Sequence, residues 1–156
     1  LDATGREFRE VIRPGAFTRT LSARPDIRLL RDHQPALLLG RTKAGTLTVG
    51  EDEYGLWFDA TLPDTSTGND TAEAIRRGDL DACSFGFRVQ SDEWGLDGQT
   101  PTRSILDVTL YEVSIVAFPA YEDATSVDLR NCQFRTPDMW ALTRTAKAKL
   151  WLAQNR

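Results

Sequence analysis

A strand-dominated α+β fold, a bent sheet or barrel carrying a few helices, is predicted by three features of the 156-residue sequence. Short runs rich in Val, Ile, Leu, Phe and Tyr recur along the chain. Gly, Pro, Asn and Asp punctuate them, and only a few stretches carry helical signals. In chain order, strands are expected at residues 27–31, 37–41, 46–50, 57–62, 82–90, 103–106 and 109–118. Helices are expected at 15–23, at 70–77 and at 137–153. In the second, Asp70 and Glu73 form a capping-box-like pair and Gly78 supplies the stop. In the third, Thr136 is the N-cap, Pro137 takes the first helical position, and Met139, Leu142, Ala146 and Leu150 recur at helical spacing. Residues 92–102, with Gly95, Gly98 and Pro101, read as a mobile hairpin loop, and 63–69 as a polar connection.

The length suits one domain able to bury about two-thirds of its unfolded surface. A main domain over 1–135 is expected, followed by an amphipathic C-terminal helix over 136–156 that packs on it or extends from it. Lys and Arg total 19 against 23 Asp and Glu, a formal net charge of −4 that argues against broad attraction to nucleic acid. The longest apolar runs, such as 37–39 and 115–118, are far too short to cross a bilayer, and no signal-peptide pattern opens the chain, so no membrane partner is expected. Cys83 and Cys132 are expected as thiols in a reducing compartment. One histidine and no cysteine cluster leave few soft ligands for zinc, so neither metal nor cofactor is expected.

His33 is the chain's one histidine, and its side chain alone has an unperturbed pKa suited to proton transfer near neutral pH. The candidate nucleophile lies in Ala82-Cys83-Ser84-Phe85-Gly86-Phe87. Strand alternation puts Cys83, Phe85, Phe87 and Val89 on one face and Ser84, Gly86 and Arg88 on the other. Gly86 leaves room for another backbone to approach Ser84, and Gly86 and Arg88 are candidates for a substrate groove. The bland account is an ordinary strand serine beside a bulge-forming glycine. Cys83 competes as a nucleophile, but it falls on the phenylalanine side, where a cysteine behaves as a small hydrophobe. The residue that orients the imidazole must be a carboxylate, and Glu112 is the best candidate because a glutamate within Leu110-Tyr111-Glu112-Val113-Ser114-Ile115-Val116 is costly to bury unless paired. A sheet-edge position or an arginine partner would account for Glu112 equally well. Asp32, beside Arg31 and near Arg28, is the weaker alternative.

With these residues in the order His33, Ser84, Glu112, the chain resembles the tailed-phage prohead (capsid maturation) serine proteases. Their fold is similar to that of the herpesvirus assembly protease (assemblin). The resemblance is carried by Arg13-Pro14-Gly15-Ala16-Phe17, by His33 with Leu39-Gly40-Arg41, and by Glu53-Tyr54-Gly55-Leu56. It continues through Gly68-Asn69-Asp70, Arg77-Gly78-Asp79-Leu80, Ser84-Phe85-Gly86-Phe87, Leu110-Tyr111-Glu112-Val113-Ser114 and Phe118-Pro119-Ala120-Tyr121. It implies a herpesvirus-protease-like fold, a Ser84 nucleophile, a His33 base and a third member at Glu112, where the herpesvirus relatives use a second histidine. It also points to an oxyanion site near Phe118 to Tyr121. Pro119 has no N–H, so the donors would be Ala120 or Tyr121. The family usually opens with an extra strand-like stretch before the Pro-Gly-Ala-Phe element, and a chain that starts at Leu1 is expected to be a trimmed or processed form.

The implied function is a serine endopeptidase that cuts the major capsid protein or scaffolding protein, and itself, during procapsid maturation. Its expected place is the host cytoplasm, inside the assembling procapsid. The alternatives are a non-catalytic scaffold or capsid-binding module on the same fold, and a small-molecule serine esterase. Trp140, Trp151 and Leu152 of the C-terminal helix are candidates for a partner contact, either with a second copy of the chain in a homo-oligomer or with the capsid or scaffold protein.

Overall fold

The computed structural model describes residues 8–119 together with the strand backbones of Thr125–Leu129 and Thr145–Leu150. The longest strand, β7 (Thr100–Val116), organises the first sheet, because strands pair along both of its edges. Along one edge runs antiparallel β6 (Ala82–Asp97), from Ala82 opposite Val116 to Asp97 opposite Thr100. The other edge is shared by two parallel strands. β1 (Arg9–Ile12) pairs with residues 102–105, and β2 (Arg28–Arg31) pairs with residues 112–115.

Between those two strands the backbone of β7 still needs partners, since buried peptide groups are costly when unpaired. They come from α1 (Thr18–Ser22) and the turn before it. The Val108 N–H donates to the Ala16 carbonyl at 3.1 Å and the Leu110 N–H to the Thr20 hydroxyl at 3.2 Å. Arg19 reaches the Val108 carbonyl, the Thr109 hydroxyl and the Asp107 carboxylate. Beyond β2, β3 (Gln34–Arg41) completes this sheet. A 3-10 turn at Thr42–Ala44 then carries the chain to the second sheet, in which β4 (Leu47–Asp52), β5 (Gly55–Thr61), β9 (Thr145–Leu150) and β8 (Thr125–Leu129) lie in that order, all antiparallel. The core is continuous across both sheets: Leu29, Phe85 and Val113 share one buried cluster with Leu47, Leu56 and Phe58.

The described strands thus form two open sheets, and no closed barrel is seen among them. No described helix is long and apolar enough to cross a membrane. The segment expected as a mobile loop at 92–102 is strand on both sides of a turn at Gly98 (φ +64°). Arg103 explains its order: it bonds Asp92 across the hairpin at 2.5 Å and Glu10 of β1 at 3.1 Å, while the Phe8 and Trp94 rings pair at 5.0 Å. Polar residues on both faces conceal the alternation that marks a strand. Likewise, the strands expected at 103–106 and 109–118 are one strand rather than two, and it ends at Val116.

The helix expected over 137–153 is corrected within the described residues, because Thr145–Leu150 forms β9. Ala146, Ala148 and Leu150 alternate with Thr145, Lys147 and Lys149, so the two-residue period competes there with the helical one. The remainder of that segment, including Trp140, Trp151 and Leu152, lies outside the described residues, as does Cys132. Neither β1 nor β8 was among the expected strands.

The helix expected at 70–77 starts earlier, as α2 (Ser66–Arg77). Its N-cap is Thr65, whose hydroxyl accepts from the Gly68 N–H at 3.2 Å, while Glu73 pairs with Arg76. Gly78 ends the helix in the left-handed region at φ +79°, as expected. Gly68 is required by contact rather than by conformation, because a Cβ there would lie 2.0 Å from the Pro63 carbonyl oxygen. Gly68→Ala should therefore lower the unfolding free energy by about 1–3 kcal/mol, measured by denaturant titration.

Asp26 sits between Arg41 and Arg28, and the hydrogen bond from Arg41 holds its carboxyl below the ordinary 3.8. A depressed carboxyl contributes stability that is present above its unfolded value and lost as the pH falls through the folded one. Asp26→Asn should accordingly flatten the loss of thermal stability on acidification below about pH 4, the unfolded aspartate range.

Candidate active site

The β2–β3 hairpin closes through two residues, Asp32 (φ +50°) and His33 (φ +56°). Two consecutive left-handed residues make the type I′ geometry that suits the twist of paired strands. Non-glycine residues occupy that region at a cost of about 1–2 kcal/mol each, so other contacts must hold the turn. Asp32 supplies several. Its N–H donates to the Ile115 carbonyl at 2.9 Å, and its carboxylate accepts from the Ala117 N–H and from Arg31, both at 3.0 Å. Arg31 in turn donates to the Thr71 hydroxyl of α2 at 3.4 Å. Asp32 is therefore engaged in fixing the turn, and its carboxylate does not contact the imidazole it was weighed against Glu112 to orient.

The imidazole meets Glu112. Nδ1 of His33 lies 2.6 Å from Oε1 of Glu112, and since a carboxylate can only accept, Nδ1 carries the proton and the neutral ring keeps Nε2 as an acceptor. The other carboxylate oxygen, Oε2, accepts from the Ser114 hydroxyl at 2.6 Å. The Ser114 oxygen also accepts from the His33 backbone N–H at 3.3 Å. Exposure follows function-like lines: the His33 side chain is 45% exposed and that of Glu112 is 15% exposed.

A bulge in β7 aims Glu112 at this site. Gly86 pairs with Glu112, but the next residue, Phe87, pairs with Leu110, so Tyr111 is an extra residue on β7. On one side of Tyr111 the core residues are Val108 and Leu110; on the other they are Val113 and Ile115. The alternation has slipped by one, and Glu112 stands on the face away from the core although Leu110, two residues earlier, points into it. Without the extra residue the two would share a face.

Ser84 lies directly opposite Ser114 on β6 and is 5% exposed. It shares a face with Gly86, Glu112 and Ser114, whereas Cys83 is fully buried in the core on the other side. The serine and cysteine thus face as strand alternation predicts. The hydrogen bonds of His33 run to Glu112 and Ser114, and among the described residues none joins it to Ser84. Arg88 is on the Ser84 face and exposed, opposite Thr109. The space at Gly86 is filled by Glu112: a Cβ there would lie 2.5 Å from Oε1 and 3.0 Å from Cγ. The glycine expected to admit another backbone admits a carboxylate instead. Ala120 and Tyr121, the candidate oxyanion donors, lie outside the described residues. Ser114 was missed in the sequence, although a second polar residue two positions after Glu112 in an otherwise apolar strand was a legible signal.

Residues 1–137 match the family model of the caudovirus prohead serine proteases. The chain belongs to this family. No curated protein and no solved structure matches it. As a prohead protease it is a serine protease of phage capsid maturation, and the family implies capsid or scaffold protein as its substrate class.

Gly86 yields a specific expectation. The clash of an added Cβ falls on the far end of a flexible side chain, so Gly86→Ala should fold with little loss of stability while displacing Glu112 from His33. Proteolytic rate should fall by roughly tenfold or more, the scale on which small displacements of a positioned side chain act, with the melting temperature changed by a few degrees at most.

Proposed function

We propose that the chain is a Ser-His-Glu endopeptidase in which Ser84 attacks the scissile carbonyl, His33 is general base and then general acid, and Glu112 orients the imidazole. The observation that carries this reading is the 2.6 Å contact between Nδ1 of His33 and Glu112, formed on the sheet face that also bears Ser84. It sets the tautomer such a mechanism requires. Nε2 takes the Ser84 proton as Oγ bonds to the carbonyl carbon, and then returns it to the leaving amine. Water repeats the cycle on the acyl-enzyme. Catalytic hydrogen bonds in a substrate-free enzyme are often long and tighten only in the complex, which accommodates the absence of a Ser84–His33 bond.

The substrate proposed is the major capsid or scaffolding protein of the prohead, with self-cleavage, inside the assembling procapsid in the host cytoplasm. Arg88 is proposed to border the substrate groove, and backbone N–H groups at Ala120 or Tyr121 to bind the oxyanion. The likeness to the herpesvirus assembly protease is retained as part of this reading.

Co-expression with the cognate capsid and scaffolding proteins, followed by intact mass of every chain, tests the proposal. Cleavage should occur with the wild type and vanish with Ser84→Ala. Ser84→Ala, His33→Ala and the double variant should each lose several orders of magnitude in rate and differ little from one another, because such groups act as a unit. A folded wild type that binds its partner and never cuts would replace the protease reading with a binding module.

A further inference from the structure

We infer that Ser114 is a positioning residue for the catalytic pair, an inference that rests on the assignment of Ser84, His33 and Glu112 above. The contacts form a closed ring. The His33 backbone N–H donates to the Ser114 oxygen at 3.3 Å, the Ser114 O–H donates to Glu112 Oε2 at 2.6 Å, and Glu112 Oε1 accepts from His33 Nδ1 at 2.6 Å. A hydroxyl has one proton, and with its oxygen accepting from His33 that proton is committed to Glu112.

The ring supplies what a glutamate otherwise lacks. Its terminal torsion is broad and roughly two-fold, so one hydrogen bond to the imidazole leaves the carboxylate plane free to turn. Ser114 fixes the second oxygen, and so aims the first. Gly86 provides the floor on which the carboxylate rests, and Ser114 is fully buried, so water does not compete for the bond. Ser114 also holds the backbone of the residue whose ring the carboxylate orients, so base and orienting acid are registered to one hydroxyl.

The test uses the full chain and a fluorophosphonate probe, which needs no knowledge of the cleavage site. Ser84 Oγ forms a bond to phosphorus, the phosphorus–fluorine bond breaks, fluoride leaves, and the serine proton passes to His33. Labelling of the wild type that disappears in Ser84→Ala establishes that the probe reads the proposed nucleophile. Persistence of labelling in Ser84→Ala overturns the site assignment and this inference with it.

Given that control, Ser114→Ala should lower the maximal labelling rate by roughly 10- to 100-fold, as for loss of other outer partners of a functional histidine, with half-saturation changed less than about twofold. Ser114→Thr, which keeps the hydroxyl, should restore most of the rate. The low-field proton resonance of His33 Nδ1–H should be present in the wild type and the Thr variant and lost or moved upfield in the Ala variant. If Ser114→Ala fails to fold, Ser114→Cys decides: near in shape but a weak donor, it should label slowly beside a fast Thr variant. Labelling of Ser114→Ala within about twofold of the wild type, or equal slowing in the Cys and Thr variants, would overturn the positioning role while leaving Ser84 and His33 in place.

Discussion

The parallel pairing of β2 with β7 is the constraint on which the site depends. It sets Leu30 opposite Ser114 and Arg31 opposite Ile115, so that the next two residues, Asp32 and His33, emerge over the end of β7. A strand slip of one residue would exchange the faces of the pair and carry His33 away from Glu112. The hairpin's left-handed turn is tolerable only because Asp32 is bonded to both Ile115 and Ala117, with Arg31 linking the same region to α2. Strain at the imidazole is thereby matched by order around it, an arrangement common where a backbone must present one side chain accurately.

The edge of β7 illustrates how secondary structure and site geometry share one solution. β1, α1 and β2 succeed one another along it, so the peptide groups of a long central strand find partners without a single long neighbour. Where α1 intervenes, β7 carries its extra residue, and the Leu110 N–H goes to a threonine hydroxyl instead of a strand carbonyl. Closure of that gap and rotation of Glu112 out of the core are consequences of the same irregularity.

Much of this was legible in the sequence, and the exceptions have physical reasons. The alternation from Cys83 to Val89 separated Ser84 from Cys83 and the phenylalanines of the core because a strand has only two faces. Glu112 stood out because an acid in an apolar strand requires a partner. Lengths of strands were harder to read: Arg103 pairs with Asp92 across the hairpin and with Glu10 far off in sequence, and polar pairs across a hairpin leave no hydrophobic period. The start of α2 was missed because Thr65 caps it without the Asp70–Glu73 pair that looked like a cap. Gly86 was singled out as room for an approaching backbone, but the fold fills that room with Glu112, since the bulge at Tyr111 decides which face Glu112 takes.

The two halves of the His33–Glu112 contact are 79 residues apart in the chain. His33 is therefore synthesised well before Glu112, and the carboxylate meets the imidazole only when β7 docks beside β2. Ser84 and His33 precede Glu112 in time as well as in sequence. Translation and strand pairing together form a clock: the hydrogen bond between imidazole and carboxylate arrives only with the docked sheet, after the newly made chain has passed through its more extended states.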